Sequence, residues 1–237
     1  MKPGQKFRNA IKNNKPLIIP GTINAYSAKL AELANHNSVY LSGSGVAAAS
    51  YGLPDLGVTT LENVLIDAKR ITSATSLPLL VDIDTGWGDF DAISNTIIEM
   101  GNANVAAVHI EDQIFDKRCG HRPNKQLVSI DEMQDRLKAA LDAKIDDSFF
   151  IMARTDALAS EGIEKAIERC GKYLDVGADG IFFEAAVSIE EYKEFKNNFS
   201  APLLANITEF GKTPLFTQKE LCDVGVDMVL YPLTAFR

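Results

Sequence analysis

A (β/α)8 barrel is the architecture this chain predicts, on three observations. Eight short apolar runs recur along the whole length, the segments between them carry helical spacing, and nearly every run ends in polar or charged residues. Apolar strands alternating with helices pair in parallel with the helices outside, and eight such repeats close into a barrel. In that fold the active site lies at the C-terminal ends of the strands. A doubly wound open sheet is the structural rival, but no GxGxxG follows the first run.

The runs lie at 17–22, 38–42, 77–84, 105–111, 149–156, 180–184, 202–208 and 228–231. The second leads into Ser42-Gly43-Ser44, whose N–H and hydroxyl donors suit either a small carboxylate-binding nest or a plain tight turn. Leu61, Val64, Leu65 and Ala68 mark a helix before the third run, which ends in Asp82-Ile83-Asp84; the fourth ends in His109-Ile110-Glu111. Met133, Leu137, Ala140 and Leu141 mark the helix leading to the fifth, which ends in Arg154-Thr155-Asp156. Val176-Gly177-Ala178 turns the chain into the sixth, ending in Glu184, and the seventh ends in Asn206-Ile207-Thr208. Polar residues spaced i, i+2 should share a strand face and converge on one cavity. After the eighth run no closing helix is legible in 232–237. The expectation is therefore a single barrel domain over 1–237 that lacks its last helix, truncated or completed by a partner.

Composition sets outer bounds. With 46% hydrophobic residues among 237, the chain can bury a large core. Its 24 basic against 32 acidic residues give a net charge of −8, which argues against nucleic-acid or anionic-membrane partners, so any anion site is local. Three cysteines without a CxxC pair suit a reducing compartment, and Leu17-Ile18-Ile19 is too short for a signal or a membrane span, so a cytoplasmic protein is expected.

Asp82 and Asp84, with Glu111 and Asp55 nearby, offer only hard oxygen ligands, which suits Mg²⁺ or Mn²⁺ rather than zinc; the alternative is buried pairing with Arg154 and lysines. Asp156 could instead cap the segment after it. Arg154, Asn206, Thr208 and Arg237 are donors suited to carboxylates. Glu184 could accept from substrate, bind a metal's waters or neutralise an arginine. His36 reads as a surface or capping residue and His109 as a hydrogen-bonding wall. The loop 117–125 sets Cys119 among Lys117, Arg118, Arg122 and Lys125, with Gly120 and His121 beside it. Those cations should favour the thiolate and hold a polycarboxylate, with Cys119 as proton donor or nucleophile. The strand ends carry no lysine, which disfavours a Schiff-base aldolase, and no glycine-rich phosphate loop follows the seventh run.

Longer stretches carry a resemblance. Gly21-Thr22-Ile23-Asn24-Ala25, Tyr40-Leu41-Ser42-Gly43, 52–57, 80–84, His109-Ile110-Glu111-Asp112-Gln113, 117–125, 152–157, 206–211 and Tyr231-Pro232-Leu233 resemble the isocitrate lyase and phosphoenolpyruvate mutase superfamily over the whole length. Cys119-Gly120-His121 marks its lyases, and the continuation Arg122-Pro123-Asn124-Lys125 is most similar to the methylisocitrate lyase family. The resemblance implies a TIM barrel and Mg²⁺-dependent cleavage of 2-methylisocitrate to pyruvate and succinate, in the methylcitrate route of propionate breakdown. A remnant that binds dicarboxylates weakly, or a lyase for isocitrate or oxaloacetate, are the alternatives. It implies metal at Asp82 and Asp84, and Cys119 as acid with His121 beside it. The base would be Tyr40, Asp55, Lys117 or a metal-bound water. Substrate contacts would come from Ser42, Gly43, Ser44, Cys119, Gly120, Arg154, Glu184, Asn206, Ile207, Thr208 and Arg237. Two departures stand out: Ser44 replaces a usual glycine, and the helices that relatives swap between subunits of a homotetramer, with a further arginine, fall beyond residue 237.

Overall fold

The structure, a computed structural model, describes residues 1–236. Its strands are β1 (Leu17–Pro20), β2 (Val39–Leu41), β3 (Leu79–Asp82), β4 (Ala107–Glu111), β5 (Phe150–Thr155), β6 (Gly180–Phe183), β7 (Leu203–Asn206) and β8 (Met228–Tyr231). Around them lie α1 (Pro3–Asn13), α2 (Ala25–Leu33), α3 (Gly43–Tyr51), α4 (Leu61–Ala74), α5 (Phe90–Asn102), α6 (Ile130–Asp142), α7 (Leu158–Glu161), α8 (Ile163–Val176), α9 (Ile189–Asn198) and α10 (Gln218–Asp223). All eight strands are parallel in one sheet, ordered β1-β8-β7-β6-β5-β4-β3-β2. A parallel bridge between Gly21 and Tyr40, with Thr22 N donating to Tyr40 O at 2.7 Å, joins β1 to β2 and completes the ring. The barrel expected from the sequence is the one observed, and the open-sheet rival falls away. Among the described residues no helix follows β8, and β1 pairs β8 along all four of its residues.

Strand alternation sorts the core into two layers. Val39 and Leu41, Leu79 and Val81, and Val108 and Ile110 face outward to the helices, where Leu61, Val64, Ala68, Ile97, Met133 and Leu137 meet them. The residues between them point inward. Leu17, Ile19, Leu80, Ala107, Phe150, Met152, Leu204, Met228 and Leu230 fill the lower barrel. One plug was not foreseen from the sequence. Helix α1, started by Pro3, carries Phe7, Ala10 and Ile11 at i, i+3, i+4 spacing and buries them in this inner cluster. The Phe7 ring meets Phe150 edge-on at 5.3 Å, and Arg8 is fastened to Ser148 O, Phe149 O and Asp179. The floor of the barrel is thus dry and closed, and the inner face becomes polar only toward the C-terminal ends of the strands. The expected runs at 17–22, 77–84 and 202–208 overshoot their strands because the chain leaves the sheet before Thr22, Asp84 and Thr208.

Candidate active site

A cavity of about 290 Å³ opens at the C-terminal end of the barrel, within reach of Tyr40, Ser42, Ser44, Asp55, Asp82, Lys117, Cys119, Gly120, His121, Arg154, Glu184, Asn206 and Thr208. These residues come from the ends of five strands, from the first turn of α3 and from two long loops. Arg122 also lines the cavity, and Phe182, Phe210, Gly211, Pro232 and Leu233, not proposed as site residues from the sequence, complete the wall. Phe182 could have been found, since it stands two residues before Glu184 on the same inward face.

Ser42 ends β2 as the N-cap of α3, its side chain accepting from Gly45 N at 3.3 Å. The segment read as nest or turn is therefore a helix N-terminus, and Ser44 is placed by helix rather than strand geometry. Gly43 lies just behind the wall, its N–H donating to Asp82 Oδ2 at 3.2 Å. A Cβ there would stand 3.1 Å from that same oxygen and 3.2 Å from Asp84 Oδ1, so glycine lets the helix end approach both carboxylates.

Asp82 and Asp84 do not share a strand face, because Asp84 has left β3 and sits at φ +48°. The turn nevertheless brings them together, with Asp82 Oδ1 accepting from Asp84 N at 3.0 Å. Burial works against the Asp82 carboxylate, but His109, Lys117 and Arg154 outweigh it and hold it at about 2. Burial raises Asp84 to about 6, against the pull of Lys117 and with the push of Asp82. Lys117 Nζ lies 2.5 Å from Asp84 Oδ1 and 2.8 Å from Asp55 Oδ1, its side chain 5% exposed. Glu111 is fully buried, and neither of its side-chain oxygens makes a hydrogen bond; Arg154 Nη1 stands 3.3 Å away. Among the described residues no three acidic, histidine or cysteine side chains form a coordination shell by themselves. A hard divalent cation that keeps most of its waters still fits here, since two buried aspartates, an unsatisfied glutamate and a buried ammonium mark a place built around positive charge.

Two candidate bases are held in their protonated forms. Burial raises the Tyr40 phenol well above its ordinary value, and its hydroxyl lies 2.9 Å from His109 Nε2. Burial disfavours the Lys117 ammonium, but Asp84, Glu111, Asp55 and Asp82 more than offset that and hold it well above its ordinary range. His109, completely buried, is lowered by burial to about 4 despite Asp82 and is neutral at neutral pH, as a hydrogen-bonding wall requires.

The cations expected to activate Cys119 do not do so. Lys117 is turned into the carboxylates, Lys125 into Asp156 and Gly120 O, and the Arg118 and Arg122 residues are exposed. Burial raises the Cys119 thiol above its usual 9.0, outweighing the His121 N–H and Arg154, so it stays a thiol. The proton-donor reading survives this correction and the thiolate reading does not. Beside it, a Cβ on Gly120 would overlap Arg154 Nη2 and come within 2.6 Å of Glu184 Cγ. His121 Nδ1 accepts from Lys212 N at 3.0 Å, which leaves the ring proton on Nε2, 3.1 Å from Glu184 Oε1.

Arg154 is held by Asp156 (Nε to Oδ2, 2.9 Å) and faces Glu111 and Glu184. Asp156 therefore caps nothing: it is spent on Arg154 and Lys125, because strand alternation turns it inward with Arg154. Asn206 Nδ2 lies 3.4 Å from both Glu184 oxygens, and Thr208 faces the cavity on the same side. Ile207, between them, points its side chain the other way into the outer core, as alternation demands, so that side chain does not reach the cavity. His36 lies past the end of α2, away from the cavity, and Arg237 lies outside the described residues.

Known proteins resemble this chain in sequence and fold. The model of the phosphoenolpyruvate phosphomutase family matches residues 7–237. A 2-methylisocitrate lyase of Shewanella oneidensis is 60% identical over 234 residues, covering 99% of this chain and 80% of that protein. The crystal structure of 2,3-dimethylmalate lyase superposes with a TM-score of 0.94 at 33% identity, covering 100% of this chain and 80% of the other. That of phosphonopyruvate hydrolase with oxalate and Mg²⁺ does so with a TM-score of 0.84 at 29% identity, covering 98% and 80%. From barrel, strand-end carboxylates and cysteine loop, and from matches that run its whole length, the chain belongs to the phosphoenolpyruvate phosphomutase family, within the superfamily of phosphoenolpyruvate mutase and isocitrate lyase.

Proposed function

We propose that this chain is a divalent-metal-dependent carbon–carbon lyase that cleaves 2-methylisocitrate into pyruvate and succinate. The observation that carries the reading is a Cys119 thiol kept protonated by burial at the wall of a cavity that also presents Arg154, His121 and Asn206. Such a group donates a proton to carbon rather than attacking it. The name of the Shewanella relative supplies the substrate, a tricarboxylate that matches a cavity rich in donors.

Asp82 and Asp84, with Glu111 close by, would hold Mg²⁺ or Mn²⁺, which would supply Lewis-acid polarisation of the hydroxyl and carboxylate that become pyruvate. The chain's own residues do the rest. The Ser44 N–H in the first turn of α3 and the Ser42 and Ser44 hydroxyls receive the pyruvate-side carboxylate, the Gly43 and Gly45 N–H groups being taken by Asp82 and Ser42. Arg154 and Asn206 receive the succinate side, and Arg154 is already oriented by Asp156. Of the three side chains weighed as base, Tyr40 and Lys117 are held protonated, which leaves Asp55 at the cavity to take the hydroxyl proton. Cleavage then leaves the bond's electron pair on the departing succinate carbon, and Cys119 protonates it.

The protein is proposed to work in the cytoplasm as a homo-oligomer. No helix among the described residues is long and apolar enough to cross a membrane. Tyr26 (72% exposed), Leu30 (47%) and Leu33 (78%) form an apolar stripe on α2 that a second subunit could cover. Pyruvate release by the purified chain, supplied with 2-methylisocitrate, isocitrate or oxaloacetate and with Mg²⁺ or EDTA, tests the function. Pyruvate from 2-methylisocitrate that EDTA abolishes is expected; absence of pyruvate with Mg²⁺ present would overturn it.

A further inference from the structure

The loop that carries Cys119 leaves and re-enters the barrel through a narrow neck. Gln113 and Leu127 form an isolated antiparallel bridge, Ile114 N donates to Gln126 O at 3.0 Å, and Val128 N donates to Asp112 O at 2.9 Å. From the entering side the Gln113 side chain reaches forward five residues. Its Nε2 donates to Arg118 O at 2.8 Å and its Oε1 accepts from Arg118 N at 3.0 Å. From the leaving side Lys125 reaches back five residues, Nζ donating to Gly120 O at 2.6 Å. The two residues held this way, Arg118 and Gly120, are the immediate neighbours of Cys119.

Both staples are themselves fixed. Gln113 is 1% exposed, and its carbonyl accepts from Arg136 Nη1 at 2.8 Å. Lys125 Nζ also donates to Asp156 Oδ1 at 2.7 Å, and that carboxylate grips Arg154. One buried ammonium thus ties the backbone after Cys119 to the guanidinium that faces the cavity. The segment that follows, Arg122 to Asn124, is exposed and adds a backbone bond, Arg122 N donating to Cys119 O at 2.8 Å, but no buried side chain. Burying an ammonium is costly, and here one of its bonds goes to a loop carbonyl rather than to the barrel alone. Neither Gln113 nor Lys125 lines the cavity.

We propose that Gln113 and Lys125 are positioning residues that clamp the backbone on either side of Cys119 and so set the rate of proton delivery from its thiol. The inference rests on the lyase reading with Cys119 as donor. The test uses Gln113→Met, Lys125→Met and Lys125→Arg in the full chain. Alkylation of Cys119 by iodoacetamide is followed by mass spectrometry of its own peptide, since Cys222 is also exposed. Unclamping should speed that alkylation about tenfold and lower kcat about ten- to a hundredfold; KM should stay within about threefold in Gln113→Met and rise further in Lys125→Met, where Asp156 beside Arg154 loses a partner. Lys125→Arg should recover part of both. A merely structural role would lower the melting temperature and leave Cys119 alkylation and kcat at parent values in the folded variants, and that result overturns the proposal. So does faster alkylation with unchanged kcat. Should Lys125→Met fail to fold, Gln113→Met, which strands no charge, decides alone. Alkylation needs no substrate, so a parent chain that released no pyruvate would sink the lyase reading while the clamp was still judged by its labelling.

Discussion

The lower and upper halves of the barrel interior are built from the same inward-facing positions of the same strands, yet they are chemically opposite. On β5, Phe150 and Met152 point into the dry floor, and two residues on, Arg154 points into the cavity. On β3 and β4 the step from Leu80 to Asp82 and from Ala107 to His109 makes the same change. The floor is satisfied by packing, with α1 as its lid. The mouth is full of buried charge, including a glutamate whose oxygens make no hydrogen bond. Stability and chemistry are therefore separated by about two residues along each strand.

That separation can be broken from either end. Replacing Cys119 by serine should lower kcat by about 10²–10⁴ and leave the unfolding midpoint unchanged, as measured by pyruvate release and urea titration. Undiminished turnover would remove Cys119 from the acid role. Phe7→Ala should do the reverse, costing about 3–5 kcal/mol of stability with kcat near the parent value at a temperature where the variant is folded. A large kcat loss there would show that floor and mouth are not independent.

Asp156 sharpens the boundary, being a mouth residue that also contributes stability. Burial alone would raise its pKa, but Arg154 and Lys125 depress it from 3.8 to about 2. A depressed carboxylate stabilises the fold fully above its unfolded pKa and loses that contribution as pH falls through the folded value. Between pH 4 and pH 2 the parent should therefore lose about 2 kcal/mol that Asp156→Asn, already lacking it, does not lose. Equal acid sensitivity of the two proteins in urea titrations would contradict the assignment. The smallest effect belongs to neither half. Thr60 caps α4 on the outside through Asn63 N, and Thr60→Ala should cost about 1 kcal/mol with no change in kcat or KM.

Periodicity made most of the barrel legible. The apolar runs, the Leu61-Val64-Leu65-Ala68 stripe and the Gly177 turn at φ +118° all follow from local rules that the tertiary structure left intact. Helix α1 was missed because its short apolar face stands outside the strand–helix repeat, although Pro3 and the Phe7, Ala10, Ile11 spacing were there to read. Within the site, the i, i+2 rule placed His109 with Glu111 and Arg154 with Asp156. It failed at Asp84 and Ser44, where the chain had already turned out of its strand. The Ile207 side chain obeys the same rule and turns from the cavity, since a contiguous motif reads as one surface whereas a strand sends neighbours to opposite faces.

What the sequence by itself determined is the barrel, the end of it that carries chemistry, and the residue types gathered there, because strand periodicity and the order of elements are local properties that survive packing. What only the tertiary structure decided is how the charges pair. In the sequence Lys117 and Lys125 flank Cys119 and promise a thiolate; in the fold each points away, one to Asp84 and Asp55 and the other to Asp156, and burial leaves Cys119 a thiol. Coulomb interaction and desolvation depend on distance through space, and adjacency along a loop says little about which partner a long side chain finally reaches.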